Sequence, residues 1–357
     1  MKIYWDSYGI LRGPSGIYVH ARKLEEALSK NGIKVSILGP VAGQGSFFQP
    51  LLESKLVAPD LCFREFLRQH EGGRAVYHGL SNFNLPVAGQ LVRRFGRRRD
   101  VKFVLTVHDL IPLLAPPGGV SSSLRLQSAI LLPRAIKAAD AVVAVSEWTA
   151  RTIVDRYPWA EGRITVIPNG FPPVREDQRR GRRPGEPVRV LTVGRSENYK
   201  RHDLFFAVLE EARGALRGTL VTPGLPGGLV ARAEELAARG ALEVVVSPSA
   251  HELDEVYRRH DVYVQTSLFE GFCLPAAEAQ ACGIPVVFTS GSGIDEVVCP
   301  VSGRPVPASA PAAEWVSAIL EVDFALSGKP AALAAWVGSR PTWNDSAIAL
   351  KTLYNSL

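Results

Sequence analysis

The chain has 357 residues, of which 46% are hydrophobic and 21% charged, a balance typical of soluble globular proteins. This length exceeds that of one ordinary hydrophobic core, so it predicts two domains. No long apolar stretch free of charges occurs, which excludes a membrane-spanning helix. The N-terminus MKIYWDSYG lacks the basic and then apolar segments of a secretory signal, so we expect a cytoplasmic protein.

The cysteines are spread along the chain without the Cys-x-x-Cys spacing of a metal site. They are Cys62, Cys273, Cys282 and Cys299. Scattered single cysteines argue against a structural zinc site and against a disulfide framework. We therefore expect each of them to be a small buried apolar residue and not a nucleophile.

Positive charge is concentrated in two arginine clusters, within residues 93–99 and 179–183, and the chain carries a formal net charge of +6. One interpretation is two solvated loops. The other is attraction to anionic lipid at the inner membrane face, where the protein would bind peripherally, or to a diphosphate-bearing acceptor. Neither cluster has interleaved aromatic residues, so we expect no nucleic-acid partner.

In the first half, short apolar runs alternate with helical patterns, which predicts a parallel sheet with crossover helices. The first predicted helix follows a Gly-rich turn and ends at Asn31-Gly32. The predicted strands are residues 2–5, 34–38, 101–107, 141–145 and 164–167. Together these elements predict an N-terminal Rossmann-like domain over residues 1–170.

Residues 171–187 are rich in proline and glycine and have no apolar periodicity, which predicts a linker. A second alternation of strands and helices follows it. The strands predicted there are residues 188–193, 218–222, 242–246, 262–265 and 285–288. Ser249 and Glu252 have the spacing of a helix capping box. This half predicts a second Rossmann-like domain over residues 188–342, followed by an amphipathic helix at 343–357.

Ligands of open parallel sheets bind beyond the carboxyl ends of the strands, so the residues after each strand are candidates for a site. Four such segments carry polar residues or glycines: Gly13–Gly16, His108-Asp109, Gly194–Lys200 and Thr266–Glu278. The first includes Ser15 and Gly16, whose N–H groups at a helix N-terminus would form an anion site, although such turns are also common before helices. No G-x-G-x-x-G fingerprint occurs, which argues against a nicotinamide dehydrogenase.

Three residues in these segments have both a structural and a functional interpretation. His108 is either a satisfied core histidine or a ligand-facing residue at the end of a strand. Arg195 and Lys200 are either surface charges or a clamp for a leaving diphosphate, where positive charge meets the negative charge that builds as a glycosidic bond breaks.

The segment Glu270-Gly-Phe-Cys-Leu-Pro-Ala-Ala-Glu278 carries a carboxylate at each end. Pro275 suits the first turn of a helix, which places Glu278 near the N-terminal end of that helix among small apolar residues. A carboxylate in this position either caps the helix or binds vicinal hydroxyls, because an ionised carboxylate accepts two strong hydrogen bonds.

This segment resembles the E-x7-E signature of retaining family 4 glycosyltransferases with the GT-B fold. The family's order and spacing also match V-H-D-L, V-S-E-W-T, V-I-P-N-G, V-G-R…K and a terminal W…Y helix. The resemblance implies an α/β fold of two Rossmann-like, doubly wound domains facing across a cleft, with helix 343–357 packing back on the first. It implies a hexosyltransferase that uses a nucleotide-diphosphate sugar, of the GDP-mannose or UDP-glucose type, to glycosylate a saccharide, a lipid-linked saccharide or a small molecule.

The resemblance also implies roles for individual residues. The implied catalytic residues are His108, Arg195, Lys200 and Glu270. The implied donor-binding residues are Ser15, Gly16, Gly194, Gly271, Phe272, Cys273, Leu274 and Glu278. Glu278 would bind the ribose, Glu270 would hold hydroxyls of the donor sugar, and His108 would contact that sugar near the reacting carbon. Arg195 and Lys200 would hold the diphosphate.

The implied mechanism is attack on the same face from which the diphosphate leaves, without a metal or other cofactor, and no Asp-x-Asp metal motif occurs. Cys273 stands where the family usually has glycine, and residues 290–296 follow the family pattern only roughly, so the donor sugar is less defined than the reaction. The alternatives are a GT-B sugar-nucleotide epimerase, and a non-catalytic sugar-nucleotide-binding subunit of a glycosylation complex.

Overall fold

The structure, a computed structural model of the chain, describes residues 1–6, 15–38, 58–82, 100–175, 182–183, 185–326 and 330–357. The chain folds into two compact units. The first comprises residues 1–114, 122–170 and 341–357, and the second comprises residues 115–121 and 171–340. Residues 171–187, which the sequence predicts as a linker, group with the second unit. So does the short segment 115–121, which no sequence pattern distinguished from the first half.

The described part of the first unit is built around a parallel sheet of six strands in the order β2-β1-β3-β4-β5-β6. The strands are β1 (Lys2–Asp6), β2 (Val35–Leu38), β3 (Ala75–Gly79), β4 (Val101–Val107), β5 (Ala141–Ala144) and β6 (Ile164–Val166). The α-helices that the structure describes before residue 170 are α1 (Gly16–Lys30), α2 (Ala58–Gln69), α3 (Ile111–Leu114), α4 (Ser122–Ala138) and α5 (Glu147–Arg156).

The second unit has its own parallel sheet, whose six described strands follow the order β12-β11-β10-β7-β8-β9. They are β7 (Val188–Val193), β8 (Leu216–Thr222), β9 (Leu242–Val246), β10 (Val262–Gln265), β11 (Val286–Thr289) and β12 (Gly303–Val306). The α-helices described in this unit are α6 (His202–Glu211), α7 (Val230–Ala238), α8 (Ala250–Arg258), α9 (Leu274–Ala281), α10 (Ala312–Leu326) and α11 (Pro330–Gly338). The capping box predicted at Ser249 and Glu252 is present at the start of α8.

Every strand predicted from the sequence is present, but β3 and β12 were not predicted. β3 lies in the middle of the first sheet, is buried along its whole length, and contains the polar residue His78. β12 lies at the edge of the second sheet and contains Pro305, which an edge strand tolerates because it needs hydrogen bonds on one side only.

Each sheet has a point where the strand order reverses direction. In the first sheet the reversal falls between β1 and β3, and in the second between β7 and β10. All the pairings are parallel at these points, so the carboxyl ends of the two strands lie at the same edge of the sheet. Loops that leave such a pair in opposite directions open a crevice in which ligands bind. The loops after β7 and β10 are therefore the structural candidates for a binding site.

The last helix, α12 (Trp343–Ser356), belongs to the first unit, as the family resemblance implies. Its Tyr354 is fully buried, and the hydroxyl accepts a hydrogen bond of 3.0 Å from the indole N–H of Trp5. Gly170 passes so close to the backbone of Trp343 that a Cβ at residue 170 would overlap it. The glycine of the V-I-P-N-G motif is therefore required by the close approach of this helix.

The predictions for cysteine and arginine residues have different outcomes. All four cysteines are buried, as predicted. The cluster within residues 93–99, together with Arg179 and Arg180, lies outside the described residues. Arg182 is half-buried and forms an ion pair of 2.6 Å with Asp323 inside the second unit. Contact of the clusters with a membrane stays a prediction. In the described part of the chain, no helix combines the length and the apolar character needed to cross a bilayer.

Candidate active site

Two connections at the switch point of the second sheet contain most of the predicted site residues. One runs from Gly194 to Lys200 and enters α6 through a short 3-10 turn, and the other leads from β10 to α9. Thr266 ties them together, because its hydroxyl donates to the carbonyl of Lys200 at 2.9 Å or to that of Arg201 at 3.0 Å. The site is therefore built on connections fixed to each other and to the sheet.

Lys200 and Glu270 form a largely buried ion pair at this point. Nζ of Lys200 lies 2.7 Å from Oε1 of Glu270, and the two side chains are 14% and 10% exposed. Burial alone would lower the pKa of Lys200, but the charge of Glu270, the hydrogen bond to its carboxylate and other nearby groups together outweigh burial, and the net shift of the pKa is upward. Lys200 therefore carries a permanent positive charge in a poorly hydrated place, where it interacts strongly with an anionic group.

A network of hydrogen bonds from buried polar side chains on and after β10 positions Glu270. Nε2 of Gln265 donates to Oε1 of Glu270 and to Oγ of Ser267, both at 2.6 Å. The hydroxyl of Tyr263 donates to Oε1 of Gln265. Gln265 and Tyr263 did not emerge from the sequence as site residues, because a polar residue in a short strand gives no signal until its partner is known.

Glu270 has one oxygen left for a ligand. Oε1 receives both Lys200 and Gln265, while Oε2 accepts no hydrogen bond from the residues that the structure describes. The backbone around it is also fixed, since the N–H of Glu270 donates to Oγ of Ser292 and its carbonyl accepts from the N–H of Gly293. Residues 290–296, which match the family only roughly, thus support the glutamate loop.

Gly293 is required by close packing against this loop. A Cβ at residue 293 would overlap the backbone of Gly271. Phe272, which follows, is buried, and its ring packs edge to face on Phe171 at a centroid distance of 5.9 Å. The backbone from Glu270 to Phe272 is thus held on two sides.

Cys273 has a backbone conformation that favours glycine. Its φ is 76° and its ψ is 72°, a left-handed conformation at the N-terminus of α9 that costs a residue with a Cβ about 1–2 kcal/mol. Burial, together with the charge of Glu270, raises the pKa of the thiol well above its ordinary value. The residue is therefore a buried thiol and not a thiolate nucleophile.

Glu278 lies on α9, just past the middle of this short helix, and Leu274 is its first residue. The hydroxyl of Tyr257 donates to Oε2 of Glu278 at 2.8 Å. Tyr257 itself is buried on α8, and burial together with the charge of Glu278 raises its pKa. The tyrosine therefore stays protonated and donates a hydrogen bond, which fixes the direction of the half-buried carboxylate.

Arg195, which the sequence analysis placed with Lys200 in a possible diphosphate clamp, is much more exposed than Lys200. Its side chain is 62% exposed, and Nε lies 3.2 Å from Oε1 of Glu197. Its carbonyl accepts a hydrogen bond of 2.8 Å from Nε2 of His202, and a Cβ on Gly194 would lie 3.3 Å from the same ring. The loop is therefore held by its backbone, while the guanidinium is on the surface.

The segment 115–121 completes the described surroundings of this loop. Nδ2 of Asn198 donates to the carbonyl of Gly118 at 2.9 Å, and the N–H of Tyr199 donates to the carbonyl of Gly119 at 3.1 Å. The segment follows α3 in the chain and belongs to the same compact unit as the loop of Lys200. No sequence pattern predicted this contact.

In the first unit, Ser15 and Gly16 lie at the N-terminus of α1, as predicted. Oγ of Ser15 accepts a hydrogen bond of 3.2 Å from the N–H of Tyr18 and caps the helix. Gly16 is exposed, and a Cβ there would meet no atom of the described residues within 4 Å. The positive end of a helix is favourable for an anion.

His108 follows β4 and is half-buried, and it is not a member of the hydrophobic core. Its Nε2 donates to the carbonyl of Leu80 at 2.8 Å, and its own carbonyl accepts from Oγ1 of Thr149 at 3.2 Å. Burial lowers the pKa of His108 to about 4, so the ring is neutral at physiological pH. Asp109 caps α3 through the N–H of Ile111 at 2.9 Å.

The described residues contain no group of three or more histidine, cysteine, aspartate or glutamate side chains placed to hold a metal ion. The predicted independence from metal ions stays a prediction.

Models of two families match the chain. Glycosyltransferase Family 4 matches residues 14–175, and Glycosyl transferases group 1 matches residues 174–322. A D-inositol 3-phosphate glycosyltransferase of Xylanimonas cellulosilytica is 30% identical over 297 residues, which span 75% of this chain and 69% of the relative.

Solved structures have the same fold at low sequence identity. Sucrose-phosphate synthase from Thermosynechococcus elongatus matches with a TM-score of 0.78 and 20% identity, covering 100% of this chain and 98% of that one. Anabaena Alr3699/HepE in complex with UDP-glucose matches with a TM-score of 0.73 and 17% identity, covering 100% of both chains. The chain therefore belongs to the family 4 glycosyltransferases and is a glycosyltransferase with the two-domain α/β GT-B fold.

Proposed function

We propose that this enzyme moves a hexosyl group from a nucleotide-diphosphate sugar to a hydroxyl of its acceptor, with retention of configuration at the anomeric carbon. The observation that supports this most directly is the Lys200–Glu270 pair, with one carboxylate oxygen of Glu270 free of described partners. A permanent cation beside a free carboxylate oxygen suits a ligand that carries both a diphosphate and sugar hydroxyls.

In this proposal, different residues bind the ribose, the hexose and the diphosphate of the donor. Glu278, held by Tyr257, accepts hydrogen bonds from the ribose hydroxyls. Oε2 of Glu270 accepts hydrogen bonds from hydroxyls of the donor hexose, and Lys200 binds the diphosphate. Ser15 and Gly16 offer the N-terminus of α1 to the same diphosphate, and His108 contacts the hexose near the reacting carbon.

In the chemical step, one bond to the anomeric carbon forms, another breaks, and one proton moves. The acceptor oxygen bonds to the anomeric carbon on the face from which the diphosphate oxygen departs, and that oxygen takes the acceptor's proton. Negative charge grows on the diphosphate as the bond breaks, so Lys200 stabilises the transition state more than the ground state. This stabilisation comes from protein groups, and we propose that no metal ion is needed.

Arg195 has a smaller role than the family resemblance implied. Its guanidinium is mostly exposed and lies near Glu197, so solvent and a neighbouring carboxylate weaken its effect on a diphosphate. We propose that Arg195 attracts and orients the donor, while Lys200 is the cation that acts on the leaving group.

The donor and acceptor proposals follow from the chemistry of the relatives. The Anabaena neighbour was solved with UDP-glucose, which makes this sugar nucleotide the first donor to test, with GDP-mannose second. The Xylanimonas relative is named for D-inositol 3-phosphate, which makes a cyclitol or saccharide hydroxyl the first acceptor class to test.

The deciding experiment is a thermal-shift panel of UDP-, GDP- and dTDP-sugars, followed by product analysis. A donor at about 100 times its Kd stabilises the folded state by about 2.7 kcal/mol and raises Tm. NMR of the product then gives the anomeric configuration. No shift with any sugar nucleotide overturns the proposal, an inverted product overturns retention, and an isomerised sugar nucleotide formed without acceptor identifies an epimerase.

A further inference from the structure

A single 3-10 turn, Gly293–Glu296, holds the backbone of Glu270, and we call it the support turn. The N–H of Gly293 donates to the carbonyl of Glu270 at 2.8 Å. Just before the turn, Oγ of Ser292 accepts from the N–H of Glu270 at 3.1 Å. The position of the Glu270 backbone therefore depends on the position of the support turn.

The far end of the support turn is held by α11 and by the segment that follows this helix. Nη2 of Arg340 donates to the carbonyl of Glu296 at 3.1 Å. Nε1 of Trp336, on α11, donates to the carbonyl of Val297 at 3.3 Å. The last carbonyls of a helical turn have no partner within it, and a basic side chain satisfies them well. The support turn is therefore joined to Glu270 at its start and to Arg340 at its end.

Arg340 reaches Glu270 by a second route, which passes through aromatic rings. Its guanidinium carbon lies 4.7 Å from the centroid of the Trp336 ring and 5.6 Å from that of the Phe171 ring. The Phe171 ring packs edge to face on Phe272, two residues after Glu270, and both phenylalanines are buried. A displacement of Arg340 therefore acts on Glu270 from two sides.

The contacts of residue 340 require a planar cation. A guanidinium stacks on aromatic faces and donates hydrogen bonds in its own plane at the same time, whereas an ammonium has no flat face to stack. Arg340 is half-buried, so competing water is partly excluded and the cation–π contacts are strengthened. Lysine at this position should therefore not replace arginine.

The place of this stack in the chain is also informative. Phe171 and Arg340 are the first and last residues of the long segment of the second unit. Their side chains meet although they lie at opposite ends of that segment. The arginine that joins the two chain ends is thus the same residue that supports the backbone of Glu270.

We propose that Arg340 is a positioning residue for sugar transfer, which fixes the direction in which Glu270 presents its Oε2 to the donor hexose. This inference rests on the proposed function. Lys200 and Gln265 fix the other carboxylate oxygen, while Arg340 fixes the backbone through the support turn and through Phe171. Loss of Arg340 therefore impairs hexose recognition and transfer and spares binding of the nucleoside diphosphate.

The first measurement uses no ligand. Hydrogen exchange at the N–H groups of Glu270 and Gly293, relative to that of β7, is compared in wild type, Arg340→Leu and Arg232→Ala. Arg232 is a matched control, because its guanidinium lies over the Phe206 ring of the same unit at 6.0 Å. Exchange at both N–H groups should be about tenfold faster in Arg340→Leu and unchanged in Arg232→Ala. Wild-type exchange in folded Arg340→Leu overturns the proposal.

The second measurement separates the hexose from the nucleotide. Calorimetry measures the affinities for UDP-glucose, GDP-mannose, UDP and GDP, and initial rates measure transfer. Arg340→Leu should lower kcat and the affinity for the sugar nucleotide about tenfold, because Glu270 is misdirected, and leave the affinity for the nucleoside diphosphate unchanged. A purely structural loss lowers Tm without changing the ratio of the two affinities, as Arg232→Ala should. A wild-type ratio and kcat in Arg340→Leu would refute the positioning role.

Arg340→Lys covers the case in which Arg340→Leu does not fold. It keeps the positive charge and loses the stacked plane, so its hydrogen exchange and kcat should resemble those expected for Arg340→Leu. An Arg340→Lys variant with wild-type exchange and kcat overturns the proposal. If the wild type binds no sugar nucleotide, the proposed function fails, and hydrogen exchange still decides whether Arg340 holds the backbone of Glu270.

Discussion

The ammonium of Lys200 lies 2.7 Å from a carboxylate oxygen of Glu270, although the two residues belong to different strand-to-helix connections of the second sheet. Both side chains are largely buried, so the loss of either one leaves a charge without its partner in a poorly hydrated place. The same pair is proposed to bind the donor. Stability and transfer therefore depend on the same two side chains, and variants can separate the two effects.

Lys200→Met is expected to lower the free energy of unfolding by about 3 kcal/mol, because the charge of Glu270 then stays buried and unpaired. The double variant Lys200→Met with Glu270→Gln removes both charges and should recover part of that stability. Both variants should have a kcat far below that of the wild type. Urea denaturation and initial rates measure the two effects, and a double variant as unstable as the single one would contradict the pairing.

Glu278→Ala is expected to weaken binding of the nucleoside diphosphate by about 1.5–3 kcal/mol, because charge-assisted hydrogen bonds to the ribose are lost. Tyr257→Phe, which frees the carboxylate from its positioning hydroxyl, should produce a smaller loss in the same direction. The matched control is Glu314→Ala, which removes an exposed carboxylate of α10. Equal affinities for wild type and Glu278→Ala in calorimetry would disprove the ribose contact.

At residue 273, glycine is expected to give a more stable protein than alanine, by about 1 kcal/mol, because glycine adopts a left-handed conformation without steric cost. Inside a regular helix the order of these two residues is the reverse. Both variants lose the buried sulfur, so the comparison isolates the backbone. Thermal unfolding of Cys273→Gly and Cys273→Ala measures the difference, and a more stable alanine variant would be inconsistent with the strain.

Stability should fall as the pH drops from about 6.5 towards 4. Burial lowers the pKa of His20 and His78 to about 3 and that of His108 and His260 to about 4. Below pH 6.5 the unfolded chain therefore takes up protons that the folded chain refuses, and proton uptake favours unfolding. Urea denaturation at several pH values tests this, and His78→Gln should reduce the slope. A stability independent of pH in this window would refute neutral buried histidines.

His108→Ala is expected to leave affinity for the nucleoside diphosphate nearly unchanged and to depress transfer strongly, because His108 is proposed to contact the hexose and not the nucleotide. The control is His251→Ala, which removes an exposed histidine of α8. Calorimetry with UDP and GDP measures the affinity, and single-turnover rates measure transfer. A variant that transfers at the wild-type rate would assign His108 a structural role only.

Much of the second unit could be predicted from the sequence, since the ends of β7 and β10 follow directly from apolar runs bounded by polar residues. The glutamates at 270 and 278 could also be predicted, because they belong to a motif of fixed spacing that lies between the end of one strand and the start of one helix. β3 escaped prediction because its His78 interrupts an apolar pattern, and only Tyr354 and Thr106, distant in the sequence, make that histidine acceptable in a core.

The sequence by itself determined the two parallel sheets, the family and the residues at the strand ends, because strand periodicity, helix caps and motif spacing are local properties of the chain. Tertiary structure alone decided which charges are buried and which distant segments meet. It placed Lys200 beside Glu270 and left Arg195 on the surface, although the two cations share one loop. It also brought Arg340 against Phe171, since burial and hydrogen-bond partners depend on contacts between segments that the sequence does not encode as a pattern.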